Sequence, residues 1–349
     1  MKQKLRVLKK RLSVLINDNN RKSLFKIFKE AIIFGFTKKE FPYFYFGKFL
    51  YRKEITNYLD YLSSAQVDKI TLSKTLHQFQ FASLLRNKLA FAFFMEKHNV
   101  TTPKLLSYNF GNTFFSNSKF YKIESVNELE DYFKKMFQNK GLDKIFVKSI
   151  VEMGGNGCFL FTKENLNKQI ANHGAYVLKH DCIHQEVLLQ HATINKIYPH
   201  SINTIRFDTY IDKNLQTHIL SAFMRFGSGG SVIDNGSSGG FYVSVNLDRG
   251  ALGGKSYQLM KYGGTQLKAH PDTKVVFNNY KIPFFDEACL LVRKAVQLIP
   301  DRIIGWDIAI TPNGPCIIEG NDNNSFITPD IAYGGYLKHP LFNEILSEA

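Results

Sequence analysis

Cysteine is scarce in this chain, and its four cysteines lie far apart. Cys158, Cys182, Cys289 and Cys316 form no CxxC pair, so the sequence supports neither a zinc ribbon nor a redox motif. Unpaired cysteines are typical of a reducing compartment, and we expect a cytoplasmic protein.

Long apolar runs are also missing. The longest, such as residues 89–95, are far shorter than the roughly 18 residues that a membrane-spanning helix needs. Between Leu5 and Lys10 apolar residues are interrupted by basic ones, which is not the pattern of a signal peptide. We therefore expect a soluble protein or one that binds peripherally at the inner membrane face.

Acidic residues are few compared with basic ones. The chain has 30 Asp and Glu against 45 Lys and Arg, a formal net charge of +15. Such a balance indicates an anionic partner, such as a nucleotide, an acidic saccharide, a membrane surface or nucleic acid. No RNP, zinc-finger or helix-turn-helix signature is present, so nucleic acid is the least favoured of these.

Most of the excess positive charge lies in residues 1–60, which have fifteen Lys or Arg and five Asp or Glu. Apolar residues at helical spacing predict two basic amphipathic helices there, followed by the aromatic stretch 41–46. One interpretation is a helical cap whose charges face water. The other is docking to an anionic membrane surface or a lipid-linked glycan.

From about residue 84 the pattern changes to short strands with intervening helices, which predicts the α+β class. The expected helices span 84–98, 126–139 and 285–298, with a capping box at Ser125 and Glu128. The expected strands span 104–108, 145–148, 158–161, 183–189, 203–211, 217–226, 241–247, 303–310 and 316–321.

The strongest chemical signal is a predicted hairpin between Gly305 and Asn321. Two apolar runs flank the segment 311–315, whose Pro, Asn and Gly residues favour a turn. Pairing position 310 with 316 places Asp307 directly opposite Glu319, and strand alternation puts Asn321 on the same face. Two carboxylates and an amide oxygen suit Mg²⁺, so we expect these three residues to be metal ligands.

A second signal is Lys148 at the end of a predicted strand, shortly before Gly154, Gly155, Asn156 and Gly157. Backbone amides of a glycine-rich loop can approach phosphate oxygens closely, and the lysine adds a positive charge. The loop is neither a Walker A motif nor a complete GxGxxG. By itself, such a loop is more commonly an ordinary turn.

Two arginines project from predicted strands, Arg206 and Arg225. A guanidinium inside a strand needs a partner, because an unpaired buried charge is costly. One interpretation is a structural ion pair, for instance with Asp208 or Asp234. The other is a pair of cations that binds the γ-phosphate of ATP and an acyl phosphate formed from it.

The spacing of Asp307 and Glu319-x-Asn321 in an antiparallel hairpin resembles the magnesium site of ATP-grasp enzymes. The resemblance implies an ATP-grasp fold, with two α+β lobes that grip ATP and a basic helical N-terminal extension. It implies a helical region at 1–83, an N-terminal ATP-grasp part with the phosphate flap at 84–184, and a C-terminal lobe with the magnesium hairpin at 185–349.

The same resemblance assigns further nucleotide contacts. Lys148 and its glycine loop match the family's lysine and mobile flap, and Lys88 matches an earlier nucleotide-contacting lysine. The segment 183–189 resembles the hinge strand that meets adenine, which implies contacts from Gln185, Glu186, Val187 and Leu188. Because Gln185 and Glu186 are adjacent polar residues, the register at the hinge stays ambiguous by one.

The chain is most similar to the sugar-transfer-associated ATP-grasp group of bacterial polysaccharide loci, over roughly residues 30–335. The shared residues are segments 201–206, 224–227 and 232–240 together with the hairpin. Part of this set has no counterpart in the general ATP site, so we assign it to the acceptor substrate, with a structural turn as the alternative. This substrate-side set comprises Asn203, Asp234, Asn235, Ser237, Ser238, Gly239 and Gly240.

The resemblance implies ligation of a carboxylate to an amine through an acyl phosphate, with ATP and Mg²⁺, in which Arg206, Arg225 and Lys148 are catalytic. An amino acid joined to a uronic acid or amino sugar of a surface polysaccharide or capsule fits the group. Two alternatives stay open: a phosphotransferase acting on a saccharide, and a catalytically idle nucleotide-binding or membrane-docking protein.

Overall fold

The computed structural model describes residues 11–152, 157–234 and 239–349. The helices are α1 (described over 11–16), α2 (Leu24–Lys38), α3 (Tyr43–Gly47), α4 (Ser64–Thr71), α5 (Phe79–Arg86), α6 (Lys88–Lys97), α7 (Val126–Lys140), α8 (Leu166–Lys179), α9 (Ala192–Ile197), α10 (Phe285–Leu298), α11 (Ile327–Ala332) and α12 (Phe342–Glu348). The strands are β1 (Leu105–Phe110), β2 (Thr113–Ser116), β3 (Lys119–Lys122), β4 (Lys144–Ser149), β5 (Cys158–Thr162), β6 (Cys182–Glu186), β7 (Ile205–Ile211), β8 (Thr217–Phe226), β9 (Phe241–Asn246), β10 (Ala251–Tyr257), β11 (Ile303–Thr311) and β12 (Gly314–Asn321).

The predicted secondary structure is largely confirmed. Strand β8 and helix α10 have the predicted bounds, and α7 begins at the predicted residue. The single helix expected over 84–98 is wrong, because Asn87 separates α5 from α6. The Asn87 side chain accepts hydrogen bonds from the backbone nitrogens of Leu89 and Ala90, which makes it the N-cap of a new helix.

Other differences are smaller. Strands β2, β3 and β10 were not predicted from the sequence, and β6 ends at Glu186, three residues earlier than expected. The hairpin turn is shorter than the segment 311–315, since only two residues separate β11 from β12. Ser125 caps α7, but the Glu128 carboxylate accepts a hydrogen bond from the backbone nitrogen of Glu124, so the reciprocal half of the expected capping box is not formed.

The first sheet has the strand order β3-β2-β1-β6-β4-β5, and every pairing in it is antiparallel. Helices α7 and α8 bury their apolar faces against it, because Leu129 and Phe133 of α7 and Ile170 and Val177 of α8 lie in one core with strand residues. This core fixes Lys148 near the end of β4.

The second sheet has the strand order β10-β9-β8-β7-β11-β12. Strand β7 lies between β8 and β11 and is antiparallel to both. All residues of β11 except the last are buried, as expected of a strand covered on both faces. Central strands of this kind hold their side chains rigidly, and two of them carry Arg206 and Asp307.

The chain divides into two compact units. The first comprises the chain up to Phe81, Gln190–Pro315 and Asn321–Ala349, and the second comprises Ala82–Leu189 and Cys316–Gly320. The described residues up to Phe81 are thus grouped with β7–β11, whereas most of β12 belongs to the second unit. The reason lies in their core, since Leu62, Ile70 and Leu76 pack with Tyr210 and Ile303.

Candidate functional site

The centre of the first unit is an ion pair between two neighbouring strands. Arg206 of β7 and Asp307 of β11 are directly opposite each other in the antiparallel register. The guanidinium donates from Nε to Asp307 Oδ1 at 2.5 Å and from Nη2 to Oδ2 at 3.0 Å. This bidentate geometry is the strongest form of a carboxylate–guanidinium contact.

Arg225 of β8 binds the same carboxylate. Its Nη2 lies 2.8 Å from Asp307 Oδ2, and its Nε donates to the Thr204 hydroxyl at 2.9 Å. Asp234 completes this side of the cluster, because it accepts hydrogen bonds from the Thr204 hydroxyl and lies 3.6 Å from the Arg225 Nε. Burial raises the pKa of Asp234, and Arg225 opposes that shift.

Sequence reasoning named Asp208 or Asp234 as structural partners for the arginines. The main partner is instead Asp307, the residue predicted to bind metal. The two guanidiniums share the Asp307 carboxylate, and Asp234 lies close to one of them. Guanidinium groups donate well to phosphoryl oxygens, and these two are carried by neighbouring strands.

Asn324 extends the cluster and was missed by sequence reasoning. Its Oδ1 accepts from Arg206 Nη1 at 2.8 Å, and its Nδ2 donates to Asp208 Oδ1 at 2.5 Å. Asp208 is fully buried and also accepts from the hydroxyls of Ser221 and Tyr336. Burial raises its pKa, and these donors satisfy its carboxylate. The only sequence signal was the run of polar residues after β12.

Gly305 makes room for this network. A Cβ atom at this position would lie 2.5 Å from Asn324 Oδ1 and 3.1 Å from Arg206 Cδ. Any larger residue must displace one of these side chains. Glycine is therefore required at this point of β11 by close packing.

The second unit contains its own cationic cluster. Lys148 is 6% exposed on β4, and its pKa is lowered by burial, with Glu319 opposing the shift and Lys88 adding to it. The Lys88 ammonium donates to the Glu152 carbonyl at 2.5 Å. An anion bound beside Lys148 and Lys88 would oppose the effect of burial and raise the pKa of Lys148.

The glycine loop is described only at its end. Gly154, Gly155 and Asn156 lie outside the described residues. Gly157 has φ of +62°, and an added Cβ would collide with the Tyr176 hydroxyl and approach Ser149 Cβ to 3.0 Å. Position 157 thus needs glycine for both its backbone conformation and its packing.

The two polar residues of the expected hinge differ in environment. Gln185 is buried, and its side chain donates to the Pro103 carbonyl at 2.9 Å. Glu186 is partly exposed and lies 3.5 Å from Lys104. Val187 and Leu188 follow β6 outside any helix or strand and are half-buried. Gln185 therefore has a structural partner, whereas Glu186 reaches solvent.

On the predicted substrate side, Asn203 is fully buried. Its Nδ2 donates to Gln190 Oε1 and the Tyr198 carbonyl, and its Oδ1 accepts from the Ser201 hydroxyl. These bonds hold the segment before β7, and the expectation that Asn203 faces a substrate stays a prediction.

The remaining substrate-side residues lie around the loop after Asp234, of which Asn235, Ser237 and Ser238 are outside the described residues. Gly239 has φ of +100°, and its carbonyl accepts from Gln258 Nε2. Gly240 packs against backbone, since an added Cβ would lie 2.6 Å from the carbonyl oxygens of Phe226 and Asp234. Close backbone packing therefore explains Gly240.

The donor set expected to hold Mg²⁺ consists of the Asp307 and Glu319 carboxylates and the Asn321 amide. Hard oxygen donors of this kind fit Mg²⁺. Asn321 Nδ2 points to the Gly305 carbonyl at 3.4 Å. Across the described ranges, no three His, Cys, Asp or Glu side chains form a metal cluster. The predicted set contains only two such side chains, Asp307 and Glu319, because its third member is an asparagine. Its assignment as a metal site stays a prediction.

Comparison with known proteins gives one family match. The profile of the family described as "Sugar-transfer associated ATP-grasp" matches residues 68–344. No curated protein matches the chain. The family match covers both sheets and all the site residues discussed above.

Several solved structures are similar at low identity. N5-carboxyaminoimidazole ribonucleotide synthetase (purK) in complex with ADP has a TM-score of 0.43 and 8% identity, over 72% of this chain and 48% of that one. D-alanyl-alanine synthetase A from Vibrio cholerae O1 biovar eltor has a TM-score of 0.43 and 12% identity, over 76% and 65%. The ATP-grasp ligase PsnB with minimal precursor, Mg and ADP has a TM-score of 0.41 and 12% identity, over 76% and 60%. The chain thus spans about half to two thirds of these structures.

Proposed function

The chain belongs to the sugar-transfer associated ATP-grasp family and has the ATP-grasp fold, and from this premise we propose that it is an ATP-dependent carboxylate–amine ligase. One observation carries the proposal: Arg206 and Arg225 both bind Asp307, at 2.5 and 2.8 Å. Two guanidiniums at a carboxylate provide a site for a phosphoryl group next to a ligand for a divalent cation.

The proposed reaction has two steps. A substrate carboxylate oxygen attacks the γ-phosphorus of ATP, the bond to the ADP oxygen breaks, and an acyl phosphate and ADP result. The amine nitrogen then attacks the acyl carbon, phosphate leaves, and the nitrogen loses a proton to give the amide. Both steps concentrate negative charge on phosphoryl oxygens, so the protein's main task is to bind that charge.

Each cationic residue has a role in this scheme. Arg206 and Arg225 stabilise the transferring phosphoryl and the acyl phosphate, and Lys148 and Lys88 bind phosphate oxygens of the nucleotide. Asp307, Glu319 and Asn321 would hold Mg²⁺, which neutralises phosphate charge when bound. Gly157 and its neighbours would cover the phosphates, and Glu186 with Val187 and Leu188 would meet the adenine.

The substrates are proposed at the level of chemical class. The family description associates the group with sugar transfer, so we propose an acceptor from a polysaccharide or its precursor, joined to an amino acid. The loop from Asp234 to Gly240 would face this acceptor. Because the reaction consumes ATP, we place it in the cytoplasm.

A screen of ADP release tests the proposal. The full-length protein is incubated with MgATP and a grid of carboxylates and amines, and products are identified by mass spectrometry. The proposal expects ADP release that needs both substrates and a product heavier by the amine minus water. A product that gains one phosphate with no need for an amine would instead identify a phosphotransferase. ADP release with no substrate pair would contradict ligation.

The cleanest variant for this screen is Glu319→Gln. Replacing Asp307 leaves two arginines without their carboxylate, which endangers folding, whereas Glu319 is only half-buried. Glu319→Gln should abolish ADP release while the protein stays folded, which thermal unfolding checks. The exposed Glu287 is the control, and Glu287→Gln should release ADP at the wild-type rate.

A further inference from the structure

Helix α2 exposes apolar side chains on the face that points away from the protein. Phe25, Phe28, Ile32 and Phe36 are 80%, 66%, 41% and 83% exposed. Their spacing of three, four and four residues places them on one stripe of the helix. Leu24, just before this stripe, is 63% exposed.

The opposite face of the same helix is also apolar. Ile27, Ala31 and Phe34 are buried and share a core with Tyr45 and Phe49. A helix on a protein surface ordinarily has a polar outer face, and an apolar outer face marks an interaction site. The buried face anchors α2 to the protein, so the outward stripe is held in place and available.

The charges around the stripe are predominantly positive. Lys26 and Lys29 lie on α2 and are exposed, as is Lys39 just after it. The acidic residue on the helix, Glu30, is buried in contact with Lys22 at 2.6 Å. The acid after the helix, Glu40, accepts from the Ser64 hydroxyl at 2.5 Å. The outward surface therefore presents aromatic rings flanked by lysines.

We propose that this face of α2 docks on an anionic lipid surface, with the stripe in the headgroup region and Lys26 and Lys29 on lipid phosphates. Aromatic side chains next to lysines are the composition of interfacial helices. Charge argues against a second copy as the occupant, because two such faces would bring their lysines together. The proposal rests on the helix alone and does not depend on ligase activity.

The docking is peripheral. Helix α2 has 15 residues, whereas a spanning helix needs about 20. Within the described part of the chain, no helix is both long and apolar enough to cross a membrane.

Vesicle flotation of the full-length protein tests the proposal. It should float with phosphatidylcholine–phosphatidylglycerol vesicles, at least about tenfold more than with phosphatidylcholine alone, and added salt should weaken binding. The triple variant Phe25→Ser, Phe28→Ser, Phe36→Ser should lose at least about tenfold in binding. The matched control is Leu72→Ser, Phe120→Ser, Leu215→Ser, which changes three apolar side chains outside α2 that are 77%, 77% and 81% exposed. This control should bind vesicles like the wild type.

A charge-reversed variant provides an independent arm should the triple variant not fold. Lys26→Glu with Lys29→Glu should lose anionic-vesicle binding, while Lys213→Glu with Lys255→Glu, also exposed, should keep it. The proposal would be overturned if the wild-type protein did not bind anionic vesicles. It would also be overturned if the α2 variants bound as strongly as their controls. Light scattering that shows a dimer broken by the triple variant, without vesicle binding, would assign the stripe to a second copy and also overturn it.

Discussion

At Asp307 an observed contact and a predicted one fall on the same carboxylate. It accepts from two arginines in the structure and is also the predicted carboxylate ligand of Mg²⁺. Each carboxylate oxygen has two lone pairs, so contact with a guanidinium does not prevent contact with a cation. Under the proposed function, phosphate oxygens bound to Arg206 and Arg225 would leave the Asp307 carboxylate more available to the metal.

The fork of Arg206 is central to this arrangement, since it donates to Asp307 and Asn324 at once. Arg206→Lys keeps the charge but loses the planar set of donors. We expect ATP turnover to fall on the order of a hundredfold. Steady-state ADP release is the measurement. Arg302→Lys, which changes an arginine paired with Glu348, is the control and should keep turnover; equal rates for wild type and Arg206→Lys would refute the role.

His184 predicts a pH dependence of stability. It is fully buried between Ser107 and Asn109, and burial lowers its pKa to about 3. In the unfolded chain the pKa is about 6.5, so below that pH the unfolded state binds a proton that the folded state does not. The free energy of unfolding should therefore have its full value above about pH 6.5. Below that pH it should decrease by up to roughly 1.4 kcal/mol per pH unit.

Urea unfolding between pH 7 and pH 5 measures this effect, with His184→Gln as the comparison. The variant is expected to be less stable at pH 7, because the His184 ring packs against Phe114 and Phe133. Its free energy of unfolding should depend less steeply on pH, by the equivalent of about one proton. Parallel slopes for the two proteins would show that His184 contributes no acid sensitivity.

At the scale of elements, the site depends on the close approach of β11, β7 and the segment after β12. Gly305→Ala places a methyl group 2.5 Å from Asn324 Oδ1, which should cost about 1–3 kcal/mol and displace Arg206 or Asn324. The melting temperature and the rate of ADP release should both decrease. Gly47→Ala is the control, because an added Cβ there meets nothing within 4 Å; a fully active and stable Gly305→Ala protein would refute the packing argument.

Element prediction from sequence succeeded where apolar patterns were strong. Strand β8 and helix α10 were predicted with their bounds, because alternation and helical spacing carry that information locally. The break at Asn87 was missed because apolar residues continue through it, and the capping bonds outweighed the pattern. Strands β2, β3 and β10 were not predicted. Strand β3 is exposed along its whole length, and β10 contains two adjacent glycines, so these two lack the apolar alternation of a typical strand.

The site was predictable only in part. The residue types of Arg206, Arg225, Asp307 and Lys148 stood out locally, but their partners could not be read from the chain. Arg206 and Asp307 are 101 positions apart, and Asn324 is 118 positions from Arg206. Register across a sheet is set by the whole fold, so such pairs need the structure.

At the scale of the whole molecule, a buried ion pair links the N-terminal region to the C-terminal segment. Lys48 and Asp330 are 2.5 Å apart with fully buried side chains. Asp330 also accepts from the backbone nitrogens of Leu62 and Tyr336. This pair and the shared core explain why the described residues up to Phe81 belong to the same compact unit as β7–β11.

Lys48→Met should destabilise the protein by about 3–5 kcal/mol, since it leaves the Asp330 charge buried and unpaired. Urea unfolding measures the change. Adding Asp330→Asn should recover part of the loss, because an amide is cheaper to bury than a carboxylate. If the double variant is as unstable as the sum of the single variants, the two side chains do not interact.

The central claim is that this chain binds ATP with a divalent cation held by Asp307, Glu319 and Asn321. Calorimetric titration of the full-length protein with a non-hydrolysable ATP analogue, with and without Mg²⁺, tests it most directly. We predict binding that depends on Mg²⁺ and weakens at least about tenfold in Glu319→Gln but not in Glu287→Gln. Binding of equal strength without Mg²⁺, or in Glu319→Gln, would contradict the claim.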